Sequence, residues 1–345
     1  MTSRAPRAAV VAALLATAAG GCGSAHAPAA RRGTGSGSAS GSGSGATGGR
    51  TADAARRPRA VPGVRLRVAR TRTLPAAVQL PGLARVGQTV LAAGGLDAAD
   101  ASVADVVRLA PGRARRVGSL PAAVHDAGAA ALGDRLYVFG GGSAAGPTDA
   151  ITAITAAGRA RPAGRLPFAL SDSEAVAVGR TAYVVGGYTT VPLRSVLAYR
   201  PGRPVRNVAT LPHPLRYAAA AAVGGRVIVA GGTDGVTARD EIVRIDPARG
   251  RVAVIGHLPS RLAHAAGVAF GGRLYVIGGR GDARASQRRG IWAVDPVTGR
   301  VRAAGRLPVA LSDLAAVTDG RQVLVAGGRD ARGVVHREIL GLEHR

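Results

Sequence analysis

The stretch GGRLYVIGG, residues 271–279, contains a run of β-forming residues that leads directly into two adjacent glycines. Glycine weakens the interior of a strand because it packs no side chain and loses the most backbone freedom on folding. The same pattern occurs in DRLYVFGG, RTAYVVGG, GRVIVAGG and RQVLVAGG elsewhere in the chain. The recurrence indicates that the same structural requirement selects glycine at each of these positions.

The glycine pairs recur at regular intervals. They are Gly94-Gly95, Gly140-Gly141, Gly186-Gly187, Gly231-Gly232, Gly278-Gly279 and Gly327-Gly328. Their spacings are 46, 46, 45, 47 and 49 residues, and a Leu-Pro dipeptide recurs with the same series of spacings. The leucines of that dipeptide are Leu74, Leu120, Leu166, Leu211, Leu258 and Leu307. Two markers that keep step through six periods indicate six copies of one supersecondary unit.

Each copy contains four short β-forming segments. In the fifth copy they are HAAGVAFG (264–271), RLYVIGG (273–279), GIWAVDP (290–296) and GRVRAAGRLP (299–308), with turn-forming residues between them. No helical pattern of adequate length appears after residue 62. Four strands per repeat, six times over, predict an all-β fold: a six-bladed β-propeller of four-stranded antiparallel blades.

The two ends of the repeat region are incomplete in complementary ways. VRLRVARTRTLP (64–75) has the character of a fourth strand without predecessors, and REILGLE (337–343) that of a third strand without a successor. We expect the N-terminal strand to complete the last blade, which closes the ring and removes exposed strand edges. We also expect the glycine pairs to serve close backbone approach and positive φ near the crowded axis.

The stretch LPSRLAHAAGVAFGGRLYVIGG (258–279) resembles the repeat of the Kelch β-propeller family, and the resemblance extends over about residues 63–345. Kelch repeats usually carry a tryptophan in the fourth strand. Here the single tryptophan, Trp292, falls in a third strand. We therefore expect smaller side chains to pack between the blades.

Composition limits the classes of partner. The formal charge is +26, yet lysine is absent and asparagine occurs only at Asn207, a pattern that suggests GC-biased coding. The charge is then either a solvated surface or a surface for an anionic partner. Aromatic residues make up only 3% of the chain and do not alternate with basic runs. This argues against a base-stacking groove, so we expect no nucleic-acid partner.

The N-terminal residues have the pattern of an export signal. MTSRAPR is positively charged, AAVVAALLATAA is apolar, and small residues precede the single cysteine, Cys22. This resembles a bacterial lipoprotein signal, which implies lipidation of Cys22; the alternative is an ordinary secretory signal. Residues 23–62 are rich in Gly and Ser and predict a flexible linker. We expect a signal over residues 1–22, a linker over 23–62, a propeller over 63–345, and an extracytoplasmic location with a lipid anchor in the membrane or, alternatively, secretion.

Two sets of loops should emerge on one face of such a propeller, where binding residues concentrate. The positions six residues beyond each repeated leucine are Leu80, Asp126, Asp172, Tyr217, His264 and Asp313. The residues just after the glycine pairs include Asp97, Ser143, Tyr188, Asp234, Arg280 and Arg329. The Kelch resemblance implies that both sets contact a ligand at the channel mouth.

Several interpretations of these residues are open. The aspartates accept hydrogen bonds from backbone amides of their own turns, or they line a site for a cationic, sugar or peptide ligand. Carboxylates on separate blades lie far apart for a shared metal ion, so we expect no metal and no cofactor. His264 is either a polar residue at a strand end or a catalytic group. The loop RGDARASQRRG (280–290) is either solvated or an anion contact.

The chain contains no HExxH, GxSxG or P-loop motif and no GxGxxG motif that opens a helix. We therefore expect a non-catalytic, monomeric module that binds a protein, an envelope polymer or a glycan. The alternative is a carbohydrate-processing enzyme, of the sugar isomerase or mutarotase kind, that uses His264 with Arg280 or Arg329.

Overall fold

The computed structural model describes residues 63–109 and 112–345. The signal, Cys22 and the linker predicted over residues 1–62 lie outside the described residues. Every named element is a β-strand. Within the described ranges, no helix is long and apolar enough to cross a membrane.

The strands form six four-stranded antiparallel sheets, or blades. Blade 1 contains β2 (Gly82–Val86), β3 (Thr89–Ala93), β4 (Asp105–Leu109) and β5 (Arg115–Ser119). Blade 2 contains β6 (Gly128–Leu132), β7 (Arg135–Phe139), β8 (Thr148–Thr155) and β9 (Ala160–Leu170). Blade 3 contains β10 (Glu174–Val178), β11 (Thr181–Val185), β12 (Ser195–Tyr199) and β13 (Arg206–Thr210).

The remaining blades follow the same order. Blade 4 contains β14 (Ala219–Val223), β15 (Arg226–Ala230), β16 (Glu241–Asp246) and β17 (Arg251–His257). Blade 5 contains β18 (Ala263–Phe270), β19 (Arg273–Arg280), β20 (Gly290–Val294) and β21 (Val301–Arg306). Blade 6 contains β22 (Ala315–Thr318), β23 (Val323–Ala326), β24 (Glu338–His344) and β1 (Leu66–Thr73). The first strands of successive blades contact one another all round, including β22 with β2, so they line a central channel.

The N-terminal strand closes the ring. β1 pairs antiparallel with β24, with Leu66 opposite His344 and Thr73 opposite Glu338. The strand order of this sheet is β1-β24-β23-β22, so β1 is the outermost strand of blade 6. The predicted six-bladed propeller and its shared last blade are therefore confirmed.

The hydrophobic core is divided among the interfaces between blades. Six clusters of buried side chains each draw on two neighbouring blades and consist mainly of Val, Ala, Leu and Ile. Aromatic packing is local: the rings of Phe139 and Tyr199, from blades 2 and 3, lie edge to face with centroids 5.4 Å apart. Trp292, in β20, is only partly buried between blades 4 and 5. Smaller side chains carry the packing, as the sequence predicts.

The glycine pairs bind each blade to the loop that leads to the next. In every pair both residues have positive φ. The N–H of the second glycine donates to a loop carbonyl at 2.8 or 2.9 Å, as Gly232 does to Leu262. A Cβ on the first glycine would strike that same carbonyl; at Gly94 it would lie 2.5 Å from the oxygen of Val124. The expected close approach and positive φ are present, and the neighbour in the way is the carbonyl of the connecting loop.

This contact joins the two sequence markers to each other. In all six copies the acceptor carbonyl lies four residues after the leucine of the Leu-Pro dipeptide. The acceptors are Val78, Val124, Leu170, Leu215, Leu262 and Leu311. Counted from the first glycine to the leucine, the contact joins each of the first five glycine pairs to the Leu-Pro dipeptide 25–29 residues later, and it joins the sixth pair to the dipeptide at Leu74.

The contact predicts different costs for two glycines of blade 4. Gly231 and Gly224 have φ of 65° and 56°, but only Gly231 faces a backbone carbonyl, whereas nothing lies within 4 Å of a Cβ on Gly224. Gly224→Ala should cost about 1–2 kcal/mol for the left-handed conformation. Gly231→Ala should cost about 1–3 kcal/mol more, because the carbonyl of Leu262 must move. Equal free energies of unfolding in denaturant titrations would contradict this explanation.

Candidate functional site

The six positions counted from the Leu-Pro dipeptide form a backbone ring at the channel mouth. We call Leu80, Asp126, Asp172, Tyr217, His264 and Asp313 the mouth ring. All six have φ between 53° and 59°, an uncommon conformation for residues other than glycine. In five of the six consecutive pairs the N–H donates to the carbonyl of the ring residue before it, at 2.7–3.1 Å. These bonds hold the left-handed conformation and fix where the six side chains begin.

Asp172 is compensated by an arginine next to the ring. The guanidinium of Arg216 forms an ion pair with Asp172, whose side chain is buried. The same guanidinium lies over the rings of Tyr188 and Tyr217, at 4.3 and 4.7 Å from their centroids. Burial alone lowers the pKa of Arg216, but the charge of Asp172, the contacts with Tyr217 and the charge of Asp126 together outweigh burial, and the pKa lies above its usual value. Arg216 is therefore a fixed cation.

The carboxyl group of Asp126 has fewer partners than that of Asp172. The hydroxyl of Tyr217 donates to Asp126 Oδ2 at 3.0 Å, across the channel from blade 4 to blade 2. The Oδ1 atom is buried and has no hydrogen-bond partner among the described residues. Burial, followed by the negative charges of Asp172 and Asp313, raises the pKa of Asp126 well above its ordinary value. Burial also raises the pKa of Tyr217, which keeps its hydroxyl proton available to donate.

Both ring nitrogens of His264 are engaged. Nε2 lies 2.7 Å from Nη2 of Arg280 and Nδ1 lies 2.5 Å from Oδ1 of Asp313. A guanidinium only donates, so Nε2 accepts and Nδ1 carries the proton that is donated to Asp313. The imidazole is also stacked on the ring of Tyr217, with centroids 3.8 Å apart. His264 is thus held in one tautomer and one orientation.

The carboxylate of Asp313 is stabilised in its charged form. Burial raises its pKa, but interactions with His264, Ser312 and Arg280 together outweigh burial and bring the pKa below its usual value. The hydroxyl of Ser312 donates to Oδ2 at 2.5 Å. Asp313 therefore remains an ionised acceptor for His264.

A cavity of about 730 Å³ opens above the mouth ring, and we call it the mouth cavity. Its basic residues are Arg280, Arg284, Arg329 and Arg332, from the loops of blades 5 and 6. Arg329 donates to Asp100 at 2.8 Å and so joins blade 6 to blade 1. The side chains of Arg284 and Arg332 are exposed and have no hydrogen bond or ion pair among the described residues.

The residues predicted after the glycine pairs divide into two groups. Arg280 and Arg329 line the mouth cavity, and Tyr188 holds Arg216. Asp97, Ser143 and Asp234 instead bond within their own loops. Asp234, for example, accepts from the N–H groups of Val236 and Thr237 at 3.0 and 2.8 Å. By contrast, the partners found for the three aspartates of the mouth ring are side chains.

Glu174 is a residue that the sequence reasoning missed. The position two residues beyond each ring residue is occupied by Gly82, Gly128, Glu174, Ala219, Ala266 and Ala315. A glutamate thus stands where the other blades have Gly or Ala, and counting along the repeats could have found it. It lines a second cavity, of about 90 Å³, together with Asp126, Asp172 and Tyr217; we call this the channel cavity. Burial raises the pKa of Glu174 to about 8.

The described residues contain no group of three or more His, Cys, Asp or Glu side chains that is placed to hold a metal ion. Asp126, Asp172 and Asp313 come from three different blades, and each has its own protein partner. The chemistry of the mouth is therefore that of hydrogen bonds and charges.

A closed ring of six four-stranded blades, with loop residues converging on a central channel, defines a β-propeller. Residues 261–308 match the model of the Kelch motif. The other copies repeat the same glycine pair and Leu-Pro dipeptide. The structure is therefore a six-bladed propeller that carries a Kelch motif, and Kelch-repeat propellers generally bind proteins. No curated protein matches the chain.

The raised pKa of Glu174 predicts a pH-dependent effect on stability. Its folded pKa of about 8 exceeds the ordinary value of 4.5, so folding favours the protonated form. The resulting penalty is absent below about pH 4.5, grows as the pH rises and is complete above about pH 8. Glu174→Gln should therefore raise the melting temperature at pH 9 more than at pH 5, measured by circular dichroism. Asp134→Asn, at an exposed turn, is the control. A pH-independent difference would contradict the assignment.

Proposed function

We propose that the protein is an extracytoplasmic, lipid-anchored binding module that holds a protein or an envelope polymer at the face bearing the mouth cavity. The observation that carries the proposal is the pair of arginines, Arg284 and Arg332, which line this cavity and have no ion-pair partner in the part of the chain that the structure describes. Arginine is enriched at protein interfaces, where its guanidinium binds carboxylates and phosphates in a fork geometry. An anionic group of the partner fits this position.

Exposed apolar side chains accompany these arginines. Val191, Val236 and Val334 are 59%, 87% and 52% exposed, on the loops between the second and third strands of blades 3, 4 and 6. These loops follow the glycine pairs, as do those that carry Arg284 and Arg332. Apolar tips beside unpaired cations are typical of a surface that binds a macromolecule.

The environment of His264 favours binding over catalysis. A general base needs a free nitrogen within reach of substrate, and Nε2 is occupied by Arg280. The buried His264–Asp313 pair beside the cavity is the one feature that supports the alternative, a sugar-converting enzyme. That activity would require Arg280 to move away from the imidazole.

Site-specific photo-crosslinking in the producing cells tests the binding face. A photoreactive amino acid at Ala285, in the wall of the mouth cavity, should capture one defined envelope component. Arg284→Glu together with Arg332→Glu should reduce the yield at least tenfold, because the anion contact is reversed. The control position is Ala303, which is exposed on the outer strand β21. The same products from both positions would overturn the proposal, as would a yield insensitive to the arginines.

The anchor is tested separately. Cys22→Ser removes the thiol that would carry the lipid. We expect the variant to accumulate as an uncleaved precursor or to appear in the medium, while the parent protein partitions into the detergent phase. Phase separation followed by mass spectrometry of the N-terminus distinguishes these forms. Identical partitioning of parent and variant would contradict a lipid anchor.

A further inference from the structure

Beneath the mouth ring, three hydrogen-bond acceptors share the channel cavity and have no partner within residues 63–109 and 112–345. Asp126 is 9% exposed and its Oδ1 has no partner; Ser173 is 6% exposed and its Oγ has none. Glu174, next in the chain, is half-buried, faces the same cavity and has no hydrogen bond or ion pair among the described residues. Buried polar atoms are normally hydrogen-bonded, so three orphan acceptors around one cavity require a donor.

The charge of the cavity selects the kind of donor. Asp126, Asp172, Glu174 and Tyr217 are the titratable groups that line it. Arg216 neutralises Asp172. Asp126 has His125 as an ion-pair partner, with Nε2 3.9 Å from Oδ2, but burial lowers the pKa of His125 and so favours the neutral imidazole. Glu174 has no ion pair among the described residues. Burying uncompensated carboxylates is costly, and a cation in the cavity removes that cost. The site therefore favours a cation over an anion.

The volume of the channel cavity and the number of its acceptors indicate which kind of cation fits. A cavity of about 90 Å³ admits a few water molecules or one small head group. Its walls are small because Gly82, Ala266 and Ala315 occupy the positions that correspond to Glu174. A primary ammonium group carries three N–H donors, which matches the three orphan acceptors.

We propose that the channel cavity is a binding site for a primary ammonium group, held by Asp126 Oδ1, Ser173 Oγ and the carboxylate of Glu174. The site lies below the mouth ring. It is acidic and binds a cation, whereas the mouth cavity is basic. It does not depend on what the mouth cavity binds. The ammonium group enters along the channel axis, either as a free small amine or at the end of a longer chain.

Binding should depend on pH in a defined direction. A primary amine stays protonated below about pH 10, whereas Glu174, with a pKa of about 8, must lose its proton to accept the cation. The raised pKa of Asp126, which also reflects the charge of Asp313, acts in the same direction. Affinity should therefore rise roughly 20-fold from about pH 6.5 to about pH 8.5, with release of a proton near neutral pH.

Isothermal titration calorimetry of the full-length protein with methylammonium chloride tests the proposal. Running each titration in two buffers of different ionisation enthalpy measures the protons released. We expect saturable binding, and at least tenfold weaker binding to Glu174→Gln and to Ala315→Leu, which fills the cavity without changing its charge. Asp134→Asn, an exposed acid, should bind like the parent protein. Thermal unfolding of each variant confirms that it is folded.

Further ligands distinguish a free amine from an ammonium group carried on a longer chain, and they provide outcomes that would contradict the proposal. Tetramethylammonium, which has no N–H donor, should not bind. If Nα-acetyl-lysine amide binds more tightly than methylammonium, the group is delivered on a chain; if methylammonium alone binds, it is a free amine. The absence of saturable binding, equal binding of tetramethylammonium, or equal effects of Glu174→Gln and Asp134→Asn would each overturn the proposal. Crosslinking at Ala285 would be unaffected by that result.

Discussion

The structure depends on one backbone hydrogen bond that occurs six times: the second glycine of each pair donates to the carbonyl four residues after a repeated leucine. This bond joins the second strand of a blade to the loop that leaves the same blade for the next. It is possible because the first glycine has no Cβ, so the carbonyl can occupy the space that a side chain would fill. Hydrophobic packing between blades also stabilises the ring, but it is not directional.

The same bond places the functional residues. Each mouth-ring residue follows the acceptor carbonyl by two positions, so its backbone starts from a point already fixed to the neighbouring blade. The ring bonds then hold the left-handed conformation through backbone atoms alone. Side chains as different as Leu80, Tyr217 and Asp313 can therefore occupy equivalent positions. The scaffold is periodic, and the chemistry of the mouth varies from blade to blade.

The sequence predicted what depends on local periodicity. The number of blades, the closure by β1 and the positions of the mouth ring follow from counting between glycine pairs and Leu-Pro dipeptides. Contacts between side chains of separate repeats were beyond that reasoning. Tyr217 reaches Asp126, 91 residues earlier, and this contact depends on the rotamers of both residues. Asp234 turned inward to its own loop because the N–H groups of Val236 and Thr237 lie within its reach.

The basic mouth cavity and the acidic channel cavity meet at the mouth ring. The partners of the arginines explain why the two charges remain separate. Arg216 is paired with Asp172, Arg280 with His264 and Arg329 with Asp100. Arg284 and Arg332 lie further along the loops that carry Arg280 and Arg329, and both are exposed. None of these five guanidinium groups forms an ion pair with Asp126 or Glu174. Because those two acids lie in a small, poorly solvated cavity, their protonation responds to whatever enters the channel. The net positive charge of the chain thus coexists with a channel that selects cations, since short-range compensation decides the sign of a buried site.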